Sequence, residues 1–94
     1  MRLAPEQVRI IKAVVRREFE PEARIWLFGS RANDLRQGGD IDLYVETRHP
    51  ELLRELRSKI GIEEAIDLHV DLVVGQPGDD RPITRIAKSE GVCL

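Results

Sequence analysis

From Pro5 to Phe19, apolar residues recur three and four apart at Val8, Ile11, Val14, Val15 and Phe19, with Lys12, Arg16 and Arg17 between them. This is the spacing of an amphipathic helix with one buried stripe. Pro5 suits a first helical turn, whose amides need no intrahelical partner, and Pro21 bars any extension. Ile25-Trp26-Leu27-Phe28 is short and apolar and ends at a glycine, which predicts a buried strand. Ser30 to Gly39 is polar, with Asn33, Asp34 and the pair Gly38-Gly39, and reads as a loop with room for a short helix from Ser30. From Asp40 to Glu46 the period changes to two: Ile41, Leu43 and Val45 alternate with Asp40, Asp42, Tyr44 and Glu46, the pattern of a strand with one buried face. Pro50 opens a second helix through Ile60, with Leu52, Leu53, Leu56 and Ile60 on its inner side and Gly61 after its end. Alternation returns from Ile66 to Val74, with Leu68, Val70, Leu72 and Val74 on one face and Asp67, His69, Asp71 and Val73 on the other. A turn-rich connector from Gly75 to Pro82 leads to a short helix, Ile83 to Glu90, ended by Gly91. The order helix, strand, loop, strand, helix, strand, helix predicts an α+β fold, a small mixed sheet with helices on one face and a site on the other.

The polar strand face carries the candidate chemistry. Residues two apart on a strand point the same way with side chains roughly 6 to 7 Å apart, so Asp40 and Asp42 converge on common ground. If the second and third strands are neighbours, Asp71 joins them from the side. Three carboxylates side by side repel, and a divalent cation relieves that repulsion; an all-oxygen site with incomplete protein ligation suits magnesium. Gly29-Ser30 supplies the complementary half, since a glycine permits close backbone approach, amides at the start of a helical turn bind phosphate oxygens, and the Ser30 hydroxyl adds a donor. Arg31 is placed to neutralise phosphate, although a solvated surface charge explains it equally well. Asp67 competes with Asp71 for the third position. Asp71 is preferred because it is flanked by Val70 and Leu72, where an acid without a role is costly, whereas Asp67 lies at the strand's start. His69, between them, is within reach of a phosphate or acceptor, but a partly exposed strand histidine is more often a bystander.

Composition narrows the classes. The 94 residues predict one domain, 1–94, with a modest core that a partner or ligand would help to stabilise. Fifteen Lys and Arg against 17 Asp and Glu give a net charge of -2, without the basic excess of an extended nucleic-acid binder. The lone Cys93 has no disulfide partner in the chain, and no Cys/His cluster suggests structural zinc. Apolar runs of about four residues exclude a membrane-spanning helix, and a cytoplasmic location is the default expectation.

The run GSRANDLRQGGDIDLYV, followed by HVDLVV, resembles the minimal nucleotidyltransferases of the DNA polymerase β superfamily. Their hallmark is Gly-Ser, a spacer of about nine residues, Asp-x-Asp and a third acid on a later strand. The closing IAKSEGVCL also looks like the family's usual ending. Carried over, the resemblance makes Gly29 and Ser30, with Arg31 beside them, the triphosphate-binding turn. Asp40 and Asp42 become ligands of two magnesium ions, and Asp71 the third carboxylate, holding the catalytic one. Gly39 departs from the pattern, standing where the family commonly has serine. The implied reaction is magnesium-dependent transfer of AMP from ATP to a hydroxyl, with release of pyrophosphate. Members that stand alone resemble the antitoxin of a toxin-antitoxin pair, modifying a tyrosine of an all-helical HEPN-domain toxin. That makes protein AMPylation the expected activity. The alternatives are an antitoxin that acts by binding alone and a small-molecule nucleotidyltransferase of the aminoglycoside-modifying kind.

Overall fold

A computed structural model describes residues 3–32 and 39–94, apart from the side chain of Ser30. The elements are α1 (Pro5–Glu18), β1 (Arg24–Phe28), a 3-10 turn (Gly29–Ala32), β2 (Ile41–Glu46), α2 (Leu52–Ile66), β3 (Val70–Gly75), α3 (Pro82–Glu90) and β4 (Val92–Cys93). They form the expected α+β arrangement, with a four-stranded mixed sheet in the order β3-β2-β1-β4.

Helix α1 begins where its sequence predicts: Pro5 occupies the first turn, and the Gln7 side chain accepts from the Ala4 amide at 2.9 Å. Ile11, Val14 and Val15 are its buried positions. Its last carbonyls are satisfied from outside, since Arg54 of α2 donates to the carbonyls of Glu18 and Phe19, each at 3.1 Å. The connector is fixed by Glu20, whose carboxylate accepts from the Thr47 hydroxyl and the Arg48 amide beyond β2.

The structure corrects the reading of α2 twice. The helix does not stop at Gly61 but continues to Ile66, and its inner face is not the leucine stripe. Leu52, Leu53, Leu56 and Ile60 are exposed by 43 to 66 per cent, while Ser58 and Ile62 are buried. The cause is close packing on α1: a Cβ on Gly61 would lie 3.3 Å from Val14 Cγ1, tighter than an ordinary contact. Here glycine is a packing residue and not a stop signal. The strand predicted from Ile66 accordingly begins at Val70, and Asp67 is not on a strand face. It sits in the left-handed region (φ 62°) as the C-terminal cap of α2, a conformation Asp tolerates better than most residues.

Strand β2 is central, antiparallel to β1 and parallel to β3. Its Ile41, Leu43 and Val45 are fully buried with Leu27, Val70 and Ile62 beneath α1 and α2. The structure adds α3 to the opposite face, where Ala87 and Ile83 pack over Trp26, Phe28 and Tyr44 and leave Asp40 and Asp71 exposed at the strand ends. Strand β4, which sequence patterning did not show, pairs Trp26 with Cys93 and Leu27 with Val92.

Tyr44 is fully buried and stacks at a tilt on its cross-strand partner Trp26, with centroids 6.0 Å apart. Its hydroxyl donates to Asp79 at 3.1 Å; burial, first of all, pushes the phenol's pKa up. Asp79 also accepts from Thr84 at 2.8 Å and from the Arg81 guanidinium at 2.7 Å, while Arg81 reaches the Val74 carbonyl at 2.8 Å. The Arg81 side chain holds the Asp79 carboxyl far below the usual carboxylate range. A carboxyl that binds its proton more weakly folded than unfolded stabilises the fold fully above the unfolded value of about 4, and this contribution fades as the pH falls from there toward the folded value. Asp79→Asn should therefore lower the thermal midpoint at pH 7 by about 5 °C. Melts between pH 3 and 7 should show a flatter acid limb for this variant than for the wild type.

Candidate active site

The site lies at one end of the sheet, where three strands deliver side chains in register. The antiparallel pairing sets Phe28, the last residue of β1, opposite Asp42, and the parallel pairing sets Asp42 opposite Asp71. The Ile41 amide donates to the His69 carbonyl at 3.0 Å, extending the ladder one residue before β3. Asp40, just ahead of β2, thereby comes beside His69 and Asp71, and one ligand atom from each of these three lies within 4.8 Å of the others. Asp40 and Asp71 are exposed and Asp42 is half-buried.

Gly29 is tied to this cluster by shape. Its φ is 73°, in the left-handed region, and a Cβ there would overlap Asp42 Oδ2 and lie 3.1 Å from Asp42 Cγ. Only glycine meets both conditions without strain. The Asp42 carboxylate thus rests against the backbone of the turn. Its pKa is raised, first by burial and then by the neighbouring charges of Asp71 and Asp40. This is the electrostatic signature of an oxygen donor set that a divalent cation would relieve.

Arg31 Nη2 donates to the Gly39 carbonyl at 3.0 Å, so this side chain ties the Gly29 turn to the residue before Asp40. The Ser30 side chain, expected to be a phosphate donor, lies outside the described residues, as do Asn33, Asp34 and Gly38. Asp67 is separated from the acids by the end of α2, whereas Asp71 is among them.

Two members of the cluster go beyond the expected set. His69 Nε2 is 3.1 Å from Asp71 Oδ1, and its Nδ1 is 3.1 Å from Glu63 Oε2. Glu63, in the last turn of α2, also accepts from the Val70 amide at 2.9 Å and from Lys59 at 3.1 Å, and these bonds pull its pKa down, the Val70 amide most. Ending α2 at Gly61 hid Glu63. The signal for His69 was visible as the same alternation that carries Asp71.

The sequence matches the family of the nucleotidyltransferase domain over residues 8–93. The chain belongs to that family. No curated protein matches the chain at a significant level. The fold is that of polymerase β-like nucleotidyltransferases, enzymes that use a nucleoside triphosphate with a divalent metal. Asp40 and Asp71, with His69, fit such a metal by donor chemistry and mutual distance, while Asp42 adjoins Asp71 through the strand register and fills the space left by the Gly29 turn.

Two outcomes follow for the nucleotidyltransferase site. Gly29→Ala forces a strained φ and displaces Asp42, so it should cost at least about 1–2 kcal/mol of stability. Part of that loss should vanish when Asp42→Ala is added, a coupling measurable by a double-mutant cycle in urea. The raised pKa of Asp42 means that its carboxyl holds a proton more tightly folded than unfolded, so at neutral pH the ionised group costs stability. Asp42→Asn should raise the thermal midpoint at pH 7 without divalent ions, measured by circular-dichroism melts against the wild type.

Proposed function

We propose that this nucleotidyltransferase domain transfers AMP from ATP to a hydroxyl, a tyrosine, of a HEPN-domain toxin, and so acts as that toxin's antitoxin. The observation that carries the transfer reaction is the convergence of Asp40, Asp42 and Asp71 beside the Gly29 turn. In this reading the backbone of Gly29 and Ser30 cradles the triphosphate, with the Ser30 hydroxyl and Arg31 as further donors. Asp40 and Asp42 would hold the magnesium ions, with Asp71 as the third carboxylate. The ions supply charge neutralisation for the triphosphate and for the departing pyrophosphate. The protein's share is position: the sheet register brings the carboxylates to one end of the sheet, where an acceptor oxygen would be aligned with the α-phosphorus.

A protein acceptor is supported by two features. Asp40 and Asp71 lie at an open sheet end, accessible to a residue on another molecule. Leu52, Leu53, Leu56 and Ile60 form an exposed apolar stripe along α2, the kind of surface a partner covers. The choice of a HEPN toxin rests on the resemblance of the GSRANDLRQGGDIDLYV run to the minimal nucleotidyltransferases, among which are antitoxins paired with such toxins. The stripe equally serves an antitoxin that neutralises by complex formation alone, and transfer assays separate the two readings.

Incubation with magnesium, labelled ATP and a HEPN-domain toxin should place label on a tyrosine of the toxin, detected by mass spectrometry. Tight association without label would favour the binding-only antitoxin. Asp71→Asn should reduce transfer by more than about a hundredfold, beyond what outer-shell changes cost. Asp67→Asn should stay within about twofold of wild type, since asparagine also suits the left-handed cap. Leu56→Glu should prevent capture of the toxin while shifting the thermal midpoint by no more than about 2 °C, because the side chain is already in water.

A further inference from the structure

Glu63, His69 and Asp71 form a chain of contacts that the expected triad of acids does not require. Glu63 is held from two sides, by the Val70 amide and by Lys59, and Lys59 is itself anchored on the Val70 carbonyl at 2.6 Å. It is therefore a fixed carboxylate acceptor, and the His69 Nδ1–H donates to Glu63 Oε2 at 3.1 Å, which fixes the ring's orientation. Nε2 is thereby aimed at Asp71 Oδ1, 3.1 Å away. The gap between these two atoms is one that a proton fills when no metal is bound and that a divalent ion, displacing the proton, would fill instead. Ligands at right angles on an ion with bonds of about 2.1 Å lie roughly 3 Å apart, and Asp40 brings its own oxygen within 4.8 Å of both atoms.

We infer that His69 Nε2 is a further protein ligand of the divalent ion held by Asp40 and Asp71, aimed at it by Glu63, so that this site is a mixed nitrogen and oxygen site. The inference rests on the reading of the acids as a metal site. A histidine whose other ring nitrogen is fixed by a carboxylate is the usual form of a metal-ligating imidazole. Such a nitrogen adds much more affinity for a transition-metal ion than for magnesium, which favours oxygen donors. The site accordingly discriminates toward ions such as Co2+ by more than its carboxylates alone would.

The test is direct binding of Co2+ and Mg2+ by calorimetry to the wild type and to His69→Ala, Glu63→Gln, Asp40→Asn and Asp71→Asn, each checked for folding by its circular-dichroism melt. His69 is exposed, and its removal leaves Glu63 with two partners, so His69→Ala retains the fold. His69→Ala should weaken Co2+ binding by about 10- to 100-fold and Mg2+ binding by less than about threefold, with Glu63→Gln weakening Co2+ by about tenfold. In Mn2+-loaded wild type, pulsed electron paramagnetic resonance should show a nitrogen coupling that His69→Ala removes. Unchanged Co2+ affinity in His69→Ala, or no nitrogen coupling in the wild type, overturns the inference. If the Asp40 and Asp71 variants lose metal while His69→Ala does not, the inference alone fails. If neither aspartate variant loses metal, the metal-site reading fails with it.

Discussion

The arrangement depends on the register of β2 between its two neighbours. One residue of slip against β1 or β3 would turn Asp42 into the core and expose Leu43, because side chains alternate with a period of two. The correct register is enforced by burial: Ile41, Leu43 and Val45 are fully enclosed beneath α1 and α2. With that face fixed, the other face has no choice. Asp42 must sit against Gly29 and opposite Asp71, and three like charges are brought to one end of the sheet by the packing of uncharged residues on its far side.

The same strand face carries a contrasting site two residues further on. Tyr44 is buried, stacked on Trp26, and hydrogen-bonded into the Asp79, Thr84 and Arg81 cluster under α3. There every described polar group has a partner, and the charges attract. At the acid end the charges repel and the groups face solvent. The strand thus joins a satisfied, stabilising half to an unsatisfied, reactive half, and the first holds the second in place.

Much of this was legible in the sequence because the two periods are clean. Alternation about Ile41, Leu43 and Val45 gave β2 and its acid face, and the alternation through Val70, Leu72 and Val74 put Asp71 on the matching face of the neighbouring strand. Helix α1 was equally plain from its three-and-four spacing and its flanking prolines. Helix α2 was misread for a physical reason: its buried face runs through Ser58, Gly61 and Ile62, with Gly61 permitting close approach to Val14, whereas Leu52, Leu53, Leu56 and Ile60 face water. Pattern reading assumes that large apolar side chains are inside, and it treats glycine as a terminator. Both assumptions failed on one helix, and with them went the position of Asp67 and the presence of Glu63. The two-residue β4 is too short to show a period at all.

Helix α2 has a further consequence. Ile60 lies on its outward apolar stripe, while Lys59 and Glu63, on the adjoining flank, bond to the start of β3 and to His69. The surface open to a partner and the support of the acid cluster are therefore adjoining flanks of one rigid rod, about one turn apart. Any tilt of that rod on seating a partner is passed to His69 and Asp71. Thermodynamic linkage makes the effect mutual: whatever factor a seated partner applies to metal affinity, bound metal applies to partner affinity.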